Sequence, residues 1–114
     1  MKHAILSLAT ALIVGIIAFA GPATAAEDVV IVYDASGSMW GQIDGTSKVE
    51  IAREVMADLV DDWDADTNLG LIAYGHRQEG DCTDIETMIA PGPVDRAGFI
   101  DTVNAITPLG KTPI

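Results

Sequence analysis

The sequence predicts an α/β fold built on a parallel sheet, and three observations predict it. Val29-Val30-Ile31-Val32-Tyr33 is a short run of mostly β-branched residues, too uniformly apolar for a strand with one wet face. Leu69-Gly70-Leu71-Ile72-Ala73-Tyr74 is a second such run, bounded by turn formers. Between them Val49, Ala52, Val55, Met56, Leu59, Val60 and Trp63 recur at helical spacing. Strand, helix and strand of these lengths make one right-handed crossover unit, with the strands side by side and parallel.

Ahead of the first strand, Met1-Lys2-His3 is a short basic head, Ala4 to Ala20 is apolar, and Ala23-Thr24-Ala25 supplies small residues. This three-part pattern predicts a secretory signal peptide over residues 1–25, cleaved before Ala26, and hence a periplasmic or secreted protein. The competing reading is an uncleaved membrane anchor, the one route by which these residues tie the protein to a membrane. Lys2 is the only charged side chain in the segment. The remainder carries all 17 acidic residues, and its formal charge is −12, one more negative than the −11 of the whole chain. Such a balance excludes nucleic acid and anionic lipid as partners, because their phosphates are repelled, and it is compatible with cations. Cys82 is the single cysteine. In an oxidising compartment it is unpaired, joined to another chain, or separated from its partner by the end of this sequence.

The remaining elements follow in order. The first strand covers Asp28–Tyr33 and leads into the site loop. Gly41 to Ser47 is a polar loop with an Asp44-Gly45 turn. Ser47-Lys48-Val49-Glu50 fits a capping box that opens a helix of about four turns. Asp61, Asp62, Asp64 and Asp66 crowd its end, where the macrodipole disfavours negative charge, and read as a solvated stop signal rather than a metal cluster. The second strand follows, and Gly75 to Asp81 is a polar connection in which His76 reads as an exposed loop residue. From Cys82 to Ile89, alternation puts Ile85, Thr87 and Ile89 on one face, as expected of an edge strand wet on the other, and Pro91-Gly92-Pro93 ends it. Asp95 is a candidate N-cap, with Val94 and Phe99 stapled across it. Phe99, Ile100, Val103 and Ile106 give a second helix its apolar face, and Gly98 weakens that helix. Thr112-Pro113 reads as the N-cap and first residue of a third helix.

Function concentrates at the end of the first strand. Asp34-Ala35-Ser36-Gly37-Ser38 sets a carboxylate and two hydroxyls at alternate positions, so that a looped backbone aims all three at one point. Carboxylate and hydroxyl oxygens are hard ligands suited to Mg2+, with Mn2+ or Ca2+ acceptable, and unsuited to soft-ligand metals. One negative charge leaves a divalent ion electrophilic, so that a carboxylate from outside could complete its coordination.

These residues carry a resemblance. Asp34-Ala35-Ser36-Gly37-Ser38-Met39 at the end of an apolar strand resembles the Asp-x-Ser-x-Ser signature of the von Willebrand factor type A (VWA) domain in its bacterial form. Leu71 to Gly75 resembles that family's second strand, and Gly110-Lys111-Thr112-Pro113 its threonine loop. The resemblance runs from about Asp28 to Ile114. It implies a doubly wound, Rossmann-like sheet, of which residues 26–114 form the N-terminal part. It further implies a metal-ion-dependent adhesion site (MIDAS) in which Ser36 and Ser38 bind the metal directly, and Asp34 and Thr112 directly or through water. The family's further aspartate loop, its later strands and a disulfide partner for Cys82 would lie beyond Ile114. In the family's strand order the first strand is central, so its apolar edge would be open here.

The leading expectation is therefore an exported, non-enzymatic binding module whose Mg2+ receives an acidic side chain from a protein partner. Two other readings compete. One is a serine hydrolase using Ser36 or Ser38 with His76, although Gly37-Ser38-Met39-Trp40-Gly41 has its serine one place early for a Gly-x-Ser-x-Gly elbow. The other is purely structural, with Ser36 and Ser38 capping a helix and no metal bound.

Overall fold

A computed structural model describes residues 26–112. The expected signal segment, residues 1–25, and the helix start at Pro113 lie outside the described residues. The chain forms a mixed three-stranded sheet with two helices, plus a small hairpin beside the site. Strand β1 (Glu27–Asp34) pairs in parallel with β4 (Thr67–Tyr74), in unbroken register from Glu27 opposite Thr67 to Asp34 opposite Tyr74. Helix α1 (Lys48–Asp61) makes the crossover between them. Strand β5 (Ile85–Gly92) then returns antiparallel on the far side of β4, and helix α2 (Arg96–Ala105) follows.

Local chemistry explains where each helix begins. At α1 the Ser47 hydroxyl accepts from the Glu50 N–H at 3.3 Å while the Glu50 carboxylate accepts from the Ser47 N–H at 3.2 Å, closing the capping box. At α2 the Asp95 carboxylate accepts from the Gly98 N–H at 3.3 Å. Gly98 is there to make room for that cap: a Cβ on it would stand 2.6 Å from Asp95 Oδ2. Asp44 and Gly45, with φ of 51° and 85°, form the tight turn joining β2 (Gln42–Ile43) to β3 (Thr46–Ser47).

Both helices pack on the same face of the sheet. Tyr33, Leu69, Leu71 and Ala73 from the strands meet Met56 and Val60 of α1 and Phe99 and Val103 of α2 in one core. Leu69, Leu71, Val60 and Val103 are fully buried, and each such side chain contributes about 1.5–3 kcal/mol.

Several expectations are corrected here. β1 is covered on one face only: Val29, Ile31 and Tyr33 turn to the core, whereas Val30 and Val32 are 42% and 64% exposed. The open edge of β1 agrees with expectation: among the described residues its single neighbour is β4, which lies between β1 and β5. Among the described residues α1 and α2 lie on one face of the sheet. The edge strand starts at Ile85 rather than Cys82, because Asp81 to Asp84 are turned into a loop, and it runs through Pro91 and Gly92. A bulge opposite Leu71 and Ile72 breaks its alternation, which brings both Met88 and Ile89 against the core and leaves Ile85 exposed. The apolar stripe of α1 is wider than its contact surface, so Val55 and Leu59 remain exposed.

Candidate functional site

β1 ends at Asp34, and the chain turns at once into a 3-10 turn over Gly37–Trp40. Asp34 Oδ1 accepts two hydrogen bonds, from the Ser36 N–H at 2.8 Å and the Ser36 hydroxyl at 2.6 Å. The Ser36 and Ser38 hydroxyls are 3.0 Å apart. A carboxylate and two hydroxyls thus converge, as the alternate spacing predicts. Ser36 is only 2% exposed, Asp34 is half-buried and Ser38 is exposed, so the cluster opens to solvent on one side. Ser36 occupies the N-cap position of the 3-10 turn, yet its side chain makes no capping bond. Its hydroxyl is spent on Asp34 instead.

The segment after α2 is strapped across the ends of β1 and β4. Gly37 N–H donates to the Gly110 carbonyl at 2.8 Å, Leu109 N–H donates to the Ala35 carbonyl at 3.0 Å, and Gly110 N–H donates to the Gly75 carbonyl at 2.6 Å. Ser36 and Gly110 form a parallel bridge. The Trp40 indole N–H donates to the Pro108 carbonyl at 2.9 Å, which ties the serine loop to this strap a second time. Two glycines make the close approach possible. A Cβ on Gly75, whose φ is +76°, would lie 3.1 Å from Ser36 N and Cα, and a Cβ on Gly110 would run into the Gln78 carbonyl oxygen.

The strap carries Thr112, two residues past the Ser36–Gly110 bridge, to the same end of the sheet, where Tyr74 stands opposite Asp34 in the parallel register. The pKa of Tyr74 is raised above the usual phenol value by burial first and then by the neighbouring Asp34 carboxylate, with Thr112 acting the other way. All four expected donors, Asp34, Ser36, Ser38 and Thr112, therefore stand at one end of the sheet. Tyr74 was not foreseen. The signal available for it was register: two parallel strands of equal length end together, which sets Tyr74 directly opposite Asp34.

Beneath the strap, the loop from Gly75 to Asp84 is held by a second polar cluster. Asp84, 3% exposed, accepts from the backbone N–H groups of Arg77 (2.6 Å) and Gln78 (2.9 Å) and from Arg77 Nε (2.6 Å). Burial opposes its charge, but the Arg77 guanidinium and these two N–H groups outweigh burial and hold its pKa down to about 2. Arg77 also pairs with Glu86 at 2.8 Å. His76 is not the exposed loop residue expected. Its side chain is 8% exposed, its Nε2 lies 3.3 Å from Glu86 Oε1, and its Nδ1 is buried without a partner. No hydrogen bond joins His76 to Ser36 or Ser38 among the described residues. Cys82 is free and exposed. No three His, Cys, Asp or Glu side chains converge as a metal-holding group among the described residues.

Comparison with known proteins gives a consistent but coarse picture. No protein-family profile matches the chain. It is 30% identical over 110 residues to the Bacillus subtilis (strain 168) protein described as "Uncharacterized protein YwmD", a match covering 86% of this chain and 49% of that protein. The chain thus spans about half the length of this curated relative. Among solved structures it is similar to the conserved hypothetical protein BatB from Bacteroides thetaiotaomicron, with a TM-score of 0.58 and 26% identity over 72% of this chain and 36% of that one. The chain is an α/β protein with a mixed sheet and two helices, and its fold is shared with part of BatB.

Proposed function

We propose that residues 26–114 form the N-terminal part of a VWA domain with a doubly wound sheet, and that its function is metal-dependent binding of a protein partner. In this reading residues 1–25 direct export and are removed. Ser36 and Ser38, with Asp34 and Thr112, hold Mg2+, for which Mn2+ or Ca2+ can stand in. When bound, the ion supplies an electrophilic position open to one carboxylate of a partner protein. The chain's own residues do the rest. Asp34 supplies the single charge, and the strap brings Thr112 to the mouth.

One observation carries the reading. Ser36 sits where a serine ordinarily caps a helix, yet its hydroxyl turns away from the free N–H groups and joins Asp34 and Ser38 in a cluster open to solvent. The Asp34–Ser36 pairing closes a local turn of the kind that Asp81 and Thr83 also make, and what sets this one apart is the second hydroxyl, that of Ser38, 3.0 Å from Ser36. The test is titration of full-length protein with Mg2+ by calorimetry, before and after EDTA. Saturable binding in the wild type, lost in Asp34→Ala with an unchanged far-ultraviolet circular dichroism spectrum, is the expected result. Retained Mg2+ affinity in that variant refutes it.

A further inference from the structure

The described residues contain five basic side chains, and three of them are engaged. Arg53 donates to the Ile106 carbonyl, Arg77 pairs with Asp84 and Glu86, and Arg96 reaches the Trp63 carbonyl. The other two, Lys48 and Lys111, are exposed and make no ion pair among the described residues. Both stand on the rim of the site. Lys111 directly precedes Thr112 on the strap. Lys48 donates its backbone N–H to the Gly41 carbonyl at 2.8 Å, and its ammonium leans over Gly41, 3.8 Å from where a Cβ there would lie, at the end of the turn that carries Ser38. In a segment with formal charge −12, these two cations thus flank the donors, Lys48 as the first residue of α1 and Lys111 on the strap. Trp40 at the end of the serine turn and Leu109 on the strap present apolar surface, 51% and 45% exposed, and Trp40 is pinned there by its bond to Pro108.

We infer that this rim selects the partner: a protein segment bearing at least two neighbouring carboxylates and an adjacent apolar side chain. One carboxylate serves the metal, a second meets Lys48 or Lys111, and the apolar group rests on Trp40 and Leu109. The inference rests on the metal-dependent reading of the site and goes beyond it by naming the partner's chemistry. Charge complementarity is its basis. A strongly acidic protein repels acidic ligands at long range, so an acidic partner requires local positive charge where it lands. Lys48 and Lys111 occupy that place although every other basic side chain among the described residues is committed elsewhere.

The experiment uses full-length protein saturated with Mg2+ and three labelled, end-blocked pentapeptides read by fluorescence anisotropy at low salt. Their sequences are glycine–leucine–aspartate–glutamate–glycine, the same with glutamine for glutamate, and the same with glycine for leucine. The first is expected to bind tightest. Its advantage over the glutamine peptide is roughly two- to five-fold, the scale of an exposed ion pair, and disappears in the Lys48→Gln/Lys111→Gln double variant and in high salt. Its advantage over the leucine-free peptide disappears in Leu109→Ser. Both lysines are exposed and unpaired, so the double variant keeps its fold, checked by an unchanged thermal midpoint. Equal binding of the first two peptides to a protein that does take up Mg2+ by calorimetry overturns the rim inference alone. Absence of Mg2+ uptake overturns the metal site and the inference with it.

Discussion

Gly110→Ala is predicted to disable the site without touching a single donor. The new methyl group would run into the Gln78 carbonyl oxygen and come within 3.3 Å of that of Gly75, both main-chain atoms of a loop fixed from below by Asp84. The strap must lift, which places three hydrogen bonds at risk: Gly110 to Gly75 at 2.6 Å, Gly37 to Gly110 at 2.8 Å and Leu109 to Gly75 at 3.1 Å. At about 1 kcal/mol net for each, the loss is about 2–3 kcal/mol. Thr112, two residues on, moves with the strap, and Mg2+ affinity should fall about ten-fold, equivalent to about 1.4 kcal/mol. Gly80→Ala is the control. Gly80 has φ of +78° but open space around it, so alanine there incurs only backbone strain of about 1–2 kcal/mol. Urea unfolding and Mg2+ calorimetry on both variants separate the effects. If Gly110→Ala binds Mg2+ like the wild type at an unchanged urea midpoint, the strap does not position the site.

Three further outcomes are expected. Asp84 is held at about 2 against an ordinary 3.8, so its charged form stabilises the fold fully above pH ~3.8, and that contribution is lost as pH falls toward 2. The urea midpoint of Asp84→Asn should therefore lie below that of the wild type at pH 6, with the gap closing between pH ~4 and ~2; a pH-independent gap contradicts this. Gly98→Ala should fail to stabilise α2, because the helix-propensity gain of about 1 kcal/mol is offset by loss of the Asp95 cap, worth about the same, whereas Gly98→Ala in an Asp95→Ala background should show the gain in thermal melts. Tyr74→Phe removes the hydroxyl that neighbours the Asp34 carboxylate and should weaken Mg2+ binding about five-fold, the equivalent of one hydrogen bond of about 1 kcal/mol, with little change in the thermal midpoint.

Much of the local structure was legible because it is written in local chemistry. The capping box at Ser47 and Glu50 needs only neighbours, and the convergence of Asp34, Ser36 and Ser38 needs only alternate spacing on one loop. What was not legible depends on residues distant in the chain. β1 read as buried on both faces because Val30 and Val32 are as apolar as Val29 and Ile31. Which pair faces a helix is decided by where α1 and α2 land, and no pattern within β1 records that. Gly98 looked like a flaw in a helix, and its reason, the Asp95 carboxylate above it, is a packing fact. The start of β5 slipped by three residues because Asp84, which fits the alternation of a strand, is taken by Arg77 and Gln78 to hold the loop. His76 and Tyr74 illustrate the same limit from opposite sides: polar surroundings suggested exposure for one, which instead turns in toward Glu86, and an apolar strand suggested no role for the other, which register sets opposite Asp34.

The central claim, that a divalent cation is held by Asp34, Ser36, Ser38 and Thr112, is tested most directly by paramagnetic broadening. Mn2+ added at substoichiometric amounts to isotope-labelled full-length protein should broaden the backbone amide signals of Ser36, Gly37, Ser38, Tyr74, Lys111 and Thr112 first, and excess Mg2+ should restore them. Broadening centred instead on the exposed acids Asp61 to Asp66, with the Ser36–Ser38 loop unaffected, would contradict it.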